Sequence, residues 1–292
     1  MKNLGVLLVL FLCLSACKEA PSEEITPKPV IVTEMAKARI DSVLQRFVAT
    51  NNVAGVSALI LEGGQEVYYN AFGFANKEAK KPMDRNTIVQ IYSMTKPITG
   101  TALMTLYEDG KFKLDDPIST YIPEFSNMTV YTGVDADNNL LTVPLEREIT
   151  IRDITRHTAG FPNNTALPGL GEMLKETDAM NRENTLTQMA EKMASVPLQS
   201  QPGTQWQYGP SVDVQALLVE RISGIPYAEY VRKHVLDPLH LGETRYFIPE
   251  QDRDRFAKLY IRKAEGELVQ DSVTYSNYVE RWPLTRGGSG LT

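Results

Sequence analysis

Ile91-Tyr92-Ser93-Met94-Thr95-Lys96-Pro97-Ile98-Thr99 is the stretch on which the fold and chemistry of this chain turn. A serine hydroxyl is a poor nucleophile until a neighbour takes its proton. Positions i and i+3 of a helix share a face, so Ser93 and Lys96 meet if the segment is helical. Lys96 can then act as the base in its neutral form, which burial or nearby positive charge favours. Pro97 fixes the start of the helix, because proline is tolerated in a first turn and breaks an interior. The helix therefore begins close to Ser93, with the positive end of its dipole beside the hydroxyl. Read alone, Ser-x-x-Lys is equally an N-cap serine followed by an exposed lysine.

The surroundings organise around that helix. Upstream, Ala36 to Thr50 places Ile40, Val43, Leu44, Phe47 and Val48 on one helical face. Val56 to Leu61, the Gly63-Gly64 turn and Val67 to Phe74 read as a hairpin. Downstream, the stretch from Ser93 to Glu108 is closed by Gly110, and Leu114 to Phe125 is turn-rich. Further helices are expected at Ile151 to His157, Thr185 to Val196, Val212 to Ile222 and Tyr227 to Val235. Leu259 to Leu268 reads as a hairpin turning at Glu265-Gly266, assigned to the helical region. One early hairpin followed by many helices predicts an α+β fold.

Composition narrows the function classes. A chain of 292 residues, 42% hydrophobic and 8% aromatic, can bury one large domain or two intimate ones. Net charge is -6, with Lys and Arg scattered rather than aligned in a basic stripe, so no nucleic-acid partner is expected. Lys2 and the short apolar run Leu4 to Leu14 read as a signal peptide over residues 1–16. Leu14-Ser15-Ala16-Cys17 resembles the bacterial lipobox, which makes Cys17 the expected lipidation site. Residues 17–33 then form a lipidated N-terminus and Pro-rich tether, and 34–292 the folded domain. The implied location is the bacterial cell envelope, anchored to a membrane through the lipid and facing the periplasm or exterior. With Cys13 lost and Cys17 acylated, the folded part has no disulfide.

A second segment, Pro202-Gly203-Thr204-Gln205-Trp206-Gln207-Tyr208-Gly209-Pro210-Ser211, presents a tyrosine in a turn. By itself Tyr208 reads as a structural residue; near positive charge, a phenol can shuttle protons. His157, His234 and His240 show no spacing that suggests zinc, and no metal or cofactor is implied. Gly287-Gly288-Ser289-Gly290 is followed by Leu291, so it fails the Gly-x-Ser-x-Gly pattern of a nucleophile elbow.

Together these segments resemble, in order, the serine β-lactamase and penicillin-binding protein superfamily, in particular class C β-lactamases and family VIII-type esterases. Ile91 to Thr99 is similar to the nucleophile segment, and Pro202 to Tyr208 to the Pro-Gly-x-x-Trp-x-Tyr segment. Leu114-Asp115-Asp116-Pro117, His157-Thr158-Ala159-Gly160 and Asp237-Pro238-Leu239 are similar to supporting turns. The resemblance implies Ser93 as nucleophile, Lys96 as its activating partner and Tyr208 as a catalytic tyrosine. It also implies an antiparallel sheet flanked by helices, plus a helical region, with the site between them. The implied reaction is hydrolysis through an acyl-enzyme, and the implied partner is a small-molecule ester, amide or β-lactam.

Two departures from the pattern matter. Pro210 stands two residues after Tyr208, where β-lactamase and peptidase members place an asparagine. This favours esters or amides, with a β-lactamase, a D-Ala-D-Ala carboxypeptidase or a silent wall-peptide-binding envelope protein as alternatives. The Lys-Thr-Gly strand motif is not found, and Gly287 to Leu291 is similar to the Gly-Gly-x-Gly-Leu turn that precedes it. The chain is accordingly expected to lack the C-terminal strands of the sheet, and residues 30–292, expressed alone, to be poorly soluble and essentially inactive while the natural full-length product is active.

Overall fold

The structure, a computed structural model, describes residues 31–292. The signal-peptide and lipidation readings, Cys17 included, lie outside the described residues. Two compact units divide the chain. Ala58–Asn70 and the chain up to Val43 form one; Leu44–Ser57 and Ala71–Thr292 form the other.

Helix α1 (Glu34–Ala49) and the strands β1 (Gly55–Glu62) and β2 (Gln65–Asn76) occupy the expected places, with Gly63 and Gly64 at the turn. A two-residue strand, β3 (Lys81–Pro82), adds to β2 antiparallel, with Phe74 opposite Pro82 and Asn76 opposite Lys81. The sheet order is β1-β2-β3. In the smaller unit, Tyr68 Oη and Asn70 Nδ2 donate to Asp41 Oδ1 at 2.6 and 2.9 Å, which ties strand to helix.

The larger unit is built on two helices. The first, α2 (Thr95–Glu108), buries Thr95, Thr99, Ala102, Leu103 and Leu106. After it come a hairpin of β4 (Thr129–Val134) and β5 (Leu140–Pro144) and the helices α3 (Ile151–Thr155), α4 (Leu170–Thr177) and α5 (Leu186–Ala194). The second main helix, α6 (Ser211–Ser223), is followed by α7 (Tyr227–Val231), which runs on as a π-helical turn, Arg232–Leu236. Capping boxes start α3 and α5, Thr150 with Asp153 and Thr185 with Gln188, each satisfying two orphan donors. Gly224 ends α6 in the left-handed region, φ 69°.

Helix α6 is buried from Ser211 to Val219 and packs against α2, α3, α5 and α7. Its Leu217 and Leu218 are fully buried, so Leu217→Ala costs about 2–5 kcal/mol. The core this creates holds the buried face of α2 and the connector residues Ile118, Ile122 and Phe125. It is the frame on which the chemistry-bearing segments rest.

Two hairpins differ from the sequence reading. The β4–β5 hairpin lies in a stretch where no element was expected. Its residues are mostly half-exposed, and the pairing is secured from outside by Tyr131 N–H to Leu198 O and Leu198 N–H to Thr129 O, both 2.8 Å. The Gly266 hairpin, β6 (Tyr260–Arg262) and β7 (Leu268–Gln270), is present, but it does not belong to the helical region. The segment leading into it runs beside the end of β2, Lys258 N–H donating to Ala75 O at 2.8 Å and Ala257 N–H to Ile88 O at 2.9 Å. The reason is a second buried cluster, Ile88, Ile248, Phe256 and Tyr278, the last from helix α8 (Ser272–Val279).

The architecture is α+β, with small antiparallel sheets and many helices, as expected. Among the described residues no helix is long and apolar enough to cross a membrane.

Candidate active site

Ser93 sits in a single 3-10 turn, Tyr92–Met94, and α2 begins immediately after it. The turn is tight: Tyr92 adopts φ 45°, a conformation that is strained for a bulky residue. Lys96 and Pro97 fall in the first turn of α2, so the helix starts where Pro97 requires. Lys96 Nζ donates to Ser93 Oγ at 3.2 Å and to Gly288 O at 2.6 Å.

The Gly287-to-Leu291 turn is locked against the start of α2. Thr99 Oγ1 donates to Gly287 O at 2.7 Å, Leu291 N–H to Thr95 Oγ1 at 3.2 Å, and Ile91 N–H to Leu291 O at 3.1 Å. Asp213, 1% exposed in the first turn of α6, accepts from Gly288 N–H at 3.0 Å. Gly287 has no room for a side chain, since a Cβ there would lie 2.3 Å from Val212 O. The turn was read from the sequence as structural only; here its Gly288 carbonyl holds Lys96.

Tyr208 is carried by an irregular segment, and the turn Thr158–Phe161 with His157 is its template. Gln207 N–H donates to His157 O and Gly203 N–H to Thr158 O, both 2.7 Å; Gln199 N–H donates to Gly160 O at 2.8 Å. Asn163 Nδ2 donates to Tyr208 O. The template is pinned in turn by Asp153, which is 3% exposed. Thr158 Oγ1 donates to its Oδ1 at 3.2 Å, and Arg147 grips both oxygens at 2.6 and 2.9 Å. Burial pushes the Asp153 carboxyl up, yet the bonds from Arg147 and Thr150 outweigh it and hold the group below its ordinary range. Gly203 closes the arrangement at φ +85°, where a Cβ would lie 2.2 Å from Arg147 Nη2.

These two supports bring three side chains together. Ser93 Oγ and Tyr208 Oη are 2.9 Å apart, and Lys96 Nζ lies 4.8 Å from the centre of the Tyr208 ring. Hydrogen bonding to Lys96, then to Ser93, lowers the Tyr208 phenol below its usual value of 10.0, against a smaller opposing effect of burial. The His157 ring packs on Tyr208 with centres 5.1 Å apart. Burial, then the Lys96 charge, lowers the His157 pKa below its ordinary value of 6.5.

The cleft in front of Ser93 encloses about 490 Å³. Arg286 lines it with its guanidinium 3.4 Å from Asp213. Among the described residues no cluster of His, Cys, Asp and Glu is suited to a metal ion. Chemically, a hydroxyl, a phenol of lowered pKa and a cation within hydrogen-bonding reach are the parts of a nucleophile and proton shuttle.

Comparison with known sequences gives this geometry a family. A sequence profile described as Beta-lactamase matches residues 40–288. The chain belongs to the beta-lactamase family. Among its relatives is esterase EstB of Burkholderia gladioli, 31% identical over 220 residues, which are 74% of this chain and 53% of that protein. Lovastatin esterase of Penicillium rubens is 30% identical over 223 residues, 75% of this chain and 55% of that protein. Of solved structures, EstCE1, a hydrolase with promiscuous acyltransferase activity, superimposes with a TM-score of 0.71 at 26% identity, covering 87% of this chain and 68% of that one. The chain spans about half the length of the two esterases, 53% and 55%.

All three residues picked out from the sequence as a catalytic group, Ser93, Lys96 and Tyr208, meet in one place. Reading the sequence missed Asp213, Gly288 and the part played by His157. Asp213 did carry a signal: it is an acid amid the apolar run of α6, a position whose burial requires a partner.

Proposed function

We propose that this chain is a serine hydrolase that cleaves carboxylic esters or amides through an acyl-enzyme, with Ser93 as nucleophile, Tyr208 as proton shuttle and Lys96 as the charge that poises Tyr208. The observation that carries the reading is the placement of Ser93 Oγ between Tyr208 Oη at 2.9 Å and Lys96 Nζ at 3.2 Å. In the first step the Ser93 Oγ–carbon bond forms and the Oγ proton passes to the Tyr208 phenolate. As the bond to the leaving group breaks, Tyr208 returns that proton to the leaving oxygen or nitrogen. Water then attacks the acyl-enzyme, giving a proton to Tyr208, which hands it back to Ser93 Oγ as the acid departs. The Ser93 N–H, at the helix start, is the proposed oxyanion donor.

Two observations favour esters or amides over β-lactams. Pro210, the cap of α6, offers no side-chain amide to a substrate acylamide. A lost partner at a buried site costs about 1–3 kcal/mol. Two of the relatives similar in sequence also carry the names of esterases. A panel of p-nitrophenyl esters, a chromogenic cephalosporin and a D-Ala-D-Ala peptide, run on the full-length protein, tests the reading, with Ser93→Ala as control. Ester turnover that disappears in Ser93→Ala is expected; efficient cephalosporin hydrolysis with negligible esterase activity would refute the preference. We further propose that Cys17 bears a lipid that anchors the protein in the cell envelope, so that Cys17→Ser moves it from the membrane to the soluble fraction. An unchanged membrane fraction would count against the anchor.

A further inference from the structure

We infer that the cleft is an acyl-binding pocket for an apolar aliphatic chain of intermediate length, with Leu174 on α4 setting the length; the inference rests on the hydrolase reading. The apolar lining of the cleft includes Phe161, Leu174, Met180, Met193 and Val196. Several of the polar side chains beside it, Thr177, Asp178 and Asn163 among them, are already engaged. Thr177 Oγ1 donates to Met173 O at 2.6 Å, Asn181 Nδ2 donates to Asp178 Oδ2 at 2.7 Å, and Asn163 bonds Tyr208 O and Gln207. Arg286 is turned to Asp213. A polar acyl substituent entering here would lose its water and find few partners, whereas an alkyl chain gains with each methylene buried. A volume of about 490 Å³ leaves room for such a chain.

The chain belongs on the acyl side of the scissile bond. The leaving group takes its proton from Tyr208, which is 44% exposed beside Trp206 at 68%, so it departs past an open rim. The acyl group stays on Ser93 through both steps and is the part that the cleft can hold throughout. Leu174 is the residue to alter, because it lines the cleft without belonging to the main buried core, unlike Met193.

The test is the specificity constant of the protein for p-nitrophenyl acetate, butyrate, hexanoate and octanoate, each below its micelle concentration. Burial of about 0.8 kcal/mol per methylene predicts a rise of about fourfold per carbon from acetate until the pocket is filled. Leu174→Trp is expected to cut the hexanoate-to-acetate ratio by about tenfold, and Leu174→Ala to move the optimum to a longer chain. A wild-type profile that is flat or falls from acetate would overturn the inference. So would an unchanged hexanoate-to-acetate ratio in Leu174→Trp or an unmoved optimum in Leu174→Ala, in whichever of the two folds. In both cases Ser93-dependent ester turnover would leave the hydrolase reading standing. No Ser93-dependent turnover of any ester would sink that reading and the inference with it.

Discussion

The serine and the tyrosine of the candidate site reach the same small volume by opposite means. Ser93 and Lys96 are placed by local geometry: one 3-10 turn, the first turn of α2 and a proline that fixes its start. Tyr208 belongs to no helix or strand and is placed by partners distant in sequence, the His157–Phe161 turn above all, which Asp153 and Arg147 hold. A locally built group fails when its own atoms are removed. A remotely built one also fails when its scaffold is disturbed, without any change at the reacting atoms.

The largest effects separate chemistry from scaffold. Tyr208→Phe and Lys96→Ala are each expected to lower kcat on the order of 10²–10⁴, the range of general acid–base contributions, while thermal melting stays near wild type. Lys96→Ala has a second signature. Lys96 is the main cause of the lowered Tyr208 pKa, so phenolate is reached at lower pH with Lys96 than without it. In the wild type kcat should rise with pH through a value below 10, and in Lys96→Ala that limb should move to higher pH. A limb that stays in place would show that Lys96 does not poise Tyr208.

Disturbing the remote scaffold comes next. Asp153→Ala removes the anchor of the template turn and leaves Arg147, 46% exposed, to rehydrate. The expected cost is about 3 kcal/mol, the low end for breaking a buried pair, read by denaturant melts. Activity should fall with it because Tyr208 loses its template. Because the folded pKa of Asp153 is depressed, its contribution is present above the unfolded value of about 3.9 and is lost as pH falls through the folded one. The stability gap between wild type and Asp153→Ala should therefore close on acidification from about pH 5 downward. A gap that does not narrow on acidification would contradict this.

Smaller effects sharpen the contrast. Gly203→Ala puts a side chain at φ +85° against Arg147 and is expected to cost about 1–2 kcal/mol, measured in the same melts. His157→Phe keeps a ring against Tyr208 but removes both nitrogens. A change in kcat under about tenfold is expected, since a residue that transfers the proton itself would lose about 10²–10⁴. A loss in that larger range would promote His157 to an acid–base role.

The same division explains what was legible in the sequence. The Ser93-to-Glu108 helix, the first hairpin and the helix ended by Gly224 rest on periodicity, caps and turn glycines, which act within a few residues. Tyr208 was identified only through its resemblance to a known segment, because nothing local marks a residue held by distant backbone bonds. Asp213, Gly288 and the β4–β5 hairpin went unread for the same reason. The hairpin's strands are half-exposed and lack clean alternation, and Asp213 gains meaning only once Gly288 is folded onto it. The Gly266 hairpin was found but misplaced, since its location depends on Ile88 and Phe256, far apart in the chain.

The claim at the centre of this account is that Ser93 is made nucleophilic by Tyr208. It is tested most directly by the rate at which a fluorophosphonate labels the protein across pH, with mass spectrometry locating the adduct, in the wild type and in Tyr208→Phe. The expected result is an adduct on Ser93, a labelling rate that climbs with pH through a value below 10, and labelling at least about 10² slower in Tyr208→Phe, with its pH dependence lost. An adduct on another residue, or equal labelling rates in the two proteins, would contradict it.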